Sequence, residues 1–178
     1  QLGREGSGPG EYRQPDAVWA FPGDSTLVVD LGNARLSIVG PKGTYARSIP
    51  MSSSGGNGPP SAIFPGGTDT RGNIYFAPPG GMGRMDSTAV QRVDARGAGA
   101  QPVGRIKTPD LDRQESGSEN AREVRIRPIP LSASDGWAVN SRGELAIART
   151  GSYAVEWHAN GTVRRGAPVD VPRARIGS

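Results

Sequence analysis

Short runs of apolar residues alternate with polar positions at a period of two along this chain, and Gly, Pro, Asn and Asp collect between the runs. That alternation turns one face of an extended segment toward a core, and the intervening residues reach the φ values of tight turns. The first stretch predicts strands at 16–21, 26–30, 35–39 and 44–49, separated by Pro22-Gly23-Asp24-Ser25, Leu31-Gly32-Asn33-Ala34 and Pro41-Lys42-Gly43. Four short strands with such connections make one antiparallel meander.

The unit recurs. Strand patterns at 73–77, 89–93 and 101–106 surround the turn Asp94-Ala95-Arg96-Gly97, and a third set at 136–139, 144–148, 154–157 and 162–165 contains the turn His158-Ala159-Asn160-Gly161. Gly43, Gly97 and Gly161 mark equivalent hairpins 54 and then 64 residues apart. Propeller blades repeat at roughly 40 to 50 residues, so the excess belongs to insertions, which cluster on one face of such folds. The pattern predicts an all-β chain, a β-propeller-type repeat of four-stranded antiparallel blades in one domain, partial or open. The blade-like units fall at about 12–50, 61–106 and 131–166, with loop insertions at 78–88 and 109–130.

Gly6-Ser7-Gly8-Pro9-Gly10-Glu11-Tyr12, then Gln14-Pro15-Asp16-Ala17-Val18, then Leu27-Val28-Val29-Asp30-Leu31-Gly32-Asn33-Ala34-Arg35-Leu36 together resemble the six-bladed β-propellers of the NHL and TolB-like type. The likeness is strong over 3–49, moderate over 131–165 and loose over 61–106, where Asp30 and Asn33 have no clear counterparts. Asp30, Asn33 and Arg35 are read as a turn device, the side-chain oxygens bonding their own backbone and the Arg reaching a neighbouring carboxylate. Three units are half of a six-bladed ring. An open stack leaves sheet edges and apolar faces uncovered, so either the chain is part of a longer propeller or its units pack on a partner. The missing initial Met fits a processed product or a trimmed piece.

Composition narrows the chemistry. No window approaches the ~18 apolar residues of a membrane-spanning helix, and the first residues lack the apolar region of a signal peptide, so the chain is expected to be soluble by itself. Cysteine is absent, which removes disulfides, thiol catalysis and Cys-based zinc sites. The net charge is +4 and the basic residues are Arg except for Lys42 and Lys107; a GC-rich genome or bidentate contacts with a partner would each produce that bias.

The one histidine, His158 beside Trp157, reads as a solvated turn residue, and one His cannot build a metal site alone. The Gly-rich runs at 3–10, 54–58 and 80–83 precede no helical period and read as loops rather than phosphate cradles. Asp110, Asp112, Glu115 and Glu119 read as a solvated connector. No catalytic residue, cofactor or metal ligand is assigned. Two Arg groups stand out, Arg122, Arg125 and Arg127, and Arg164, Arg165, Arg173 and Arg175. Neither carries the aromatic interleaving or motif of a nucleic-acid binder, and Trp19, Trp137 and Trp157 are assigned to packing between blades.

The resembled families are mostly periplasmic or surface-exposed, and many are assembly platforms. The resemblance therefore implies a non-enzymatic, extracytoplasmic module with other protein chains as partners: an accessory subunit on the outer face of an envelope membrane complex, a redox or photosynthetic complex being an example. Membrane contact would be indirect or through anionic headgroups. The expected interface residues are Arg122, Arg125 and Arg127, with Met82, Arg84 and Met85 of the first insertion. The alternative is a propeller enzyme or small-ligand binder using the central channel, against which stand the half ring and the poverty of His.

Overall fold

The computed structural model describes residues 3–53, 61–78, 86–118 and 121–172, and the fold is all-β. A small parallel pair, β1 (Arg4–Glu5) and β2 (Glu11–Tyr12), precedes a first antiparallel sheet of β3 (Pro15–Phe21), β4 (Ser25–Asp30), β5 (Arg35–Val39) and β6 (Tyr45–Pro50). A second sheet holds β7 (Pro65–Thr68), β8 (Ile74–Phe76), β9 (Ser87–Val93) and β10 (Gln101–Lys107). The hairpin β11 (Leu111–Ser118) and β12 (Ala121–Pro128) follows, then a third sheet of β13 (Gly136–Val139), β14 (Leu145–Arg149), β15 (Ala154–Ala159) and β16 (Thr162–Arg165). Each four-stranded sheet is a meander with its strands in chain order, and none closes into a barrel: an open, propeller-type stack.

Strand register explains the stacking. In the first sheet the rows Ala17–Val29–Leu36–Ile49 and Trp19–Leu27–Ile38–Arg47 share one face, and their apolar members join Ile74, Phe76 and Val93 of the second sheet in one core with Met51 and Ile63. The opposite face of the second sheet meets the third through a smaller core of Val90, Ile106, Leu145 and Ile147, flanked by Val103 and Trp137. The second sheet thus contributes buried apolar residues on both faces.

Two strand-like segments differ from the sequence reading. β7 is Pro-Gly-Gly-Thr and carries no alternation that would announce a strand. Its composition follows from proximity: a methyl group at Gly66 would stand 2.5 Å from the Trp137 ring, and one at Gly67 would stand 2.3 Å from Val139 Cγ1. Only residues without a side chain let β7 lie this close to β13. The stretch 109–130, read as a loop, is a two-stranded ribbon whose base is tied by Ile129 N–H to Asp110 O (2.7 Å) and by reciprocal bonds between Lys107 and Asp135. β11 is polar and charged beyond Leu111, and the only alternation in the stretch is the short one of Val124 and Ile126 with Arg125 and Arg127 in β12.

The Asp30 motif also works differently. Asp30 is fully buried, but its carboxylate accepts from the backbone N–H of Arg13 (3.1 Å) and Gln14 (3.0 Å), not from its own turn. Asn33 donates to Asp30 Oδ2 and to the Gly6 carbonyl; Arg35 reaches a neighbouring carboxylate as expected, Asp30 Oδ2 at 3.6 Å, and also donates to the carbonyls of Ser7, Gly8 and Glu11. The three side chains clasp the N-terminal segment onto the first sheet. Burial alone would raise the Asp30 pKa, but the Gln14 amide, Asn33, the Arg13 amide and Arg35 together hold it below its ordinary value.

Gly66→Ala is expected to destabilise the fold by roughly 1 to 3 kcal/mol through overpacking against Trp137. Gly136→Ala, where an added methyl meets nothing within 4 Å, should change stability by less than about 0.5 kcal/mol. Chemical denaturation of the two variants checks the contrast.

Candidate functional site

The expected interface residues divide. Arg125 and Arg127 lie on β12, and Arg122 is placed there opposite Gly117, its side chain outside the described residues. Met82, Arg84 and Met85 lie outside the described residues, as do Glu119, Arg173 and Arg175. On the ribbon, Asp112, Gln114 and Ser116 face Arg127, Arg125 and Glu123 across the strands, while Leu111, Arg113 and Glu115 face Pro128, Ile126 and Val124. One face is therefore polar and the other carries an apolar stripe around the Arg113–Glu115 pair. Leu111 and Val124 are 39% and 42% exposed, and Leu131 just beyond, held at φ 60, is 83% exposed. A large apolar side chain kept outside in a left-handed conformation costs strain and hydration together.

The acidic residues read as a connector are engaged: Asp110 pairs with Lys107 at 2.6 Å, Asp112 accepts from Gln114, and Glu115 from Arg113. Among the described residues they are not gathered as a set of metal ligands.

The outer faces of the end sheets are unequal. On the first sheet, the rows Val18–Val28–Ser37–Ser48 and Ala20–Thr26–Val39–Tyr45 face away from the second sheet, but Val28, Ser37 and Val39 in them are buried, and the N-terminal segment approaches at Tyr45, 3.3 Å from where a Gly10 methyl group would stand. On the third, the row Ala138–Ala146–Trp157–Arg164 faces away from the second sheet, with Ala148 and Val155 beside it. Trp19 and Trp137 pack between sheets as expected, but Trp157 lies on this outward face and is 37% exposed.

Between the second and third sheets a groove of about 570 Å³ opens. One wall is the cross-strand row Gly67–Tyr75–Arg92–Gln101, and the other is Val139–Leu145–His158–Val163. Turns supply Arg71, Arg142 and Asn160 at its mouth. The Asn160-Gly161 turn has φ of 50° and 75°, as a two-residue hairpin connection requires. Thr70 bonds Ser141 O through both its amide and its hydroxyl (2.9 Å each), and Arg71 donates to the Arg142 carbonyl, so the two turns are locked together.

Beneath them Asp69 is buried and accepts from the Arg71 and Asn73 amides, the Asn73 side chain and the Tyr75 hydroxyl. The equivalent turn of the third sheet, between β13 and β14, is built alike, Asn140 Oδ1 accepting from the Arg142 and Glu144 amides, whereas Asp30 lies one turn later in its sheet, between β4 and β5. Burial opposes ionisation of Asp69, yet the Asn73 side chain and amide, Tyr75 and the Arg71 amide hold its pKa below the ordinary value; burial, with Asp69 alongside, pushes the Tyr75 phenol up. His158 is not a solvated turn residue: it lies in β15 facing the groove, its Nε2 has no hydrogen-bond partner, and Glu156 Oε2 is 3.5 Å away.

Deeper in the same interface Arg149 bridges Asp135 (2.8 Å), Glu156 and the Arg105 carbonyl, while Arg165 pairs with the other oxygen of Glu156. Arg165, assigned to a basic surface group, thus belongs to a structural network. Hydrogen bonds from Arg149 and Arg165 outweigh burial and bring the Glu156 pKa down to about 2 from 4.5. With the folded value below the unfolded one, the network's contribution is fully present above pH 4.5, up to about 3 kcal/mol, and is lost as pH falls toward 2. Glu156→Gln is expected to lower stability at neutral pH by about 3 kcal/mol and to flatten this acid limb, as read from denaturation midpoints between pH 7 and 3.

No protein-family model matches the chain, and a search of curated proteins returns no match.

Proposed function

We propose that the chain is a non-enzymatic protein-interaction module of the NHL or TolB-like propeller class, working outside the cytoplasm as an accessory subunit of an envelope membrane assembly. The observation that carries this reading is the ribbon β11–β12. It is two-stranded, it displays Leu111 and Val124, and it leads to the exposed Leu131. An isolated two-stranded ribbon is marginal in water, and an apolar stripe on it is stabilised when another surface covers it.

The polar face of the ribbon supports the same reading. Arg127, and Arg125 with the guanidinium nitrogens left over from its 2.9 Å pair with Glu123, sit where a partner's carboxylates would find planar donors, and the outward row of the third sheet around Trp157 adds a second apolar contact. The function is scaffolding, with large surfaces engaged and no bond made or broken.

Purification of the tagged chain from mildly solubilised source envelopes, followed by mass spectrometry, tests this. The expected result is a set of membrane proteins at fixed stoichiometry, lost in the double variant Arg125→Glu/Arg127→Glu while its thermal transition stays in place. A lone monomer from the unmodified chain would overturn the proposal.

A further inference from the structure

The groove between the second and third sheets holds more positive charge than its own carboxylates take up. Among the described residues Arg92 donates only to the neutral side chain of Gln101, at 2.9 Å. Arg71 reaches Asp69 at 3.4 Å, a carboxylate that already accepts four other hydrogen bonds. Arg142 shares one oxygen of Glu144 with the Asn140 side chain. His158 lines the groove as well, with its buried Nε2 turned to Glu156 Oε2 at 3.5 Å.

These groups are held in place. The backbones of Arg71 and Arg142 are fixed by the locked turns, Arg92 is fixed by its cross-strand place between Tyr75 and Gln101, and a methyl group at Gly143 would stand 2.6 Å from the Tyr75 hydroxyl, so only a residue without a side chain fits there. A volume of about 570 Å³ is within the range of small-molecule sites and far exceeds a single inorganic ion. Val103, Leu145 and Val163 line it as well.

We propose that this groove binds a small organic anion, its carboxylate or phosphate head at Arg71, Arg92 and Arg142 and its apolar body along Val103, Leu145 and Val163. Guanidinium forks match the two oxygens of either head group, and the apolar residues favour a ligand with a ring or short chain over a bare ion. The site is separate from the ribbon and from the outer sheet faces, so it stands or falls independently of the scaffolding role.

The test is a titration of the full chain, labelled with nitrogen-15, with benzoate, phenyl phosphate and inorganic phosphate in separate NMR series at constant ionic strength. Saturable shifts are expected at the amides of Arg71, Arg92, Gln101, Gly143 and His158 with benzoate or phenyl phosphate, the stronger of the two identifying the head group. Inorganic phosphate should bind at least about tenfold more weakly than phenyl phosphate. Arg92→Gln should weaken binding roughly tenfold or more, and Arg142→Gln, at an exposed position on the rim, should weaken it too with the thermal transition unmoved. Absence of saturable shifts at these amides, equal binding of phenyl phosphate and inorganic phosphate, or unchanged affinity in both variants would overturn the proposal.

Discussion

The approach of β7 to β13 sets the geometry on which much of the rest depends. Gly66 and Gly67 offer no side chains, so Trp137 and Val139 occupy the space that their Cβ atoms would fill. Once the strands are that close, the Thr70 and Ser141 turns fall within hydrogen-bonding distance, Arg71 meets the Arg142 carbonyl, and the groove takes its width from two fixed walls. The apolar core between these sheets is small, and the Asp135–Arg149–Glu156–Arg165 network supplements it. Breaking such a network by removing one member strands a buried charge, which gives it more influence on uniqueness of packing than its net energy suggests.

Buried carboxylates recur as fasteners, each in a different way. Asp30 gathers amides from a segment that precedes its sheet, Asp69 gathers those of its own turn, and Asp135 joins the end of β10 to the turn after β14. In each case ionisation is maintained against burial by several donors, so these side chains serve stability and positioning. The cations of the groove are the contrasting group, because fewer acceptors are provided for them than donors.

What could be read from the sequence follows from where side chains alternate. The first and third sheets were legible because Leu27, Val29, Leu36 and Ile38, or Leu145 and Ile147, repeat at a period of two between recognisable turns. β7 was not, since its glycines answer to Trp137 some seventy residues away, and the ribbon was not, since β11 is polar beyond Leu111 and the alternation of Val124 and Ile126 in β12 is short and has no apolar partner strand. Arg125 and Arg127 were found as a cluster in sequence, whereas Arg71, Arg92 and Arg142 converge only after two sheets pack; the Arg bias of the composition was the sole signal available for them. The fold class was therefore accessible from local pattern, and the groove required register.

The most direct test of the account is hydrogen–deuterium exchange on the isolated full chain. The structure predicts slowest exchange in β4, β5 and β8, whose residues fill the larger core, and fast exchange throughout β11 and β12. Ribbon amides as protected as those of β8 in the free chain would contradict it, because they would show that the ribbon is already covered and has no open face for a partner.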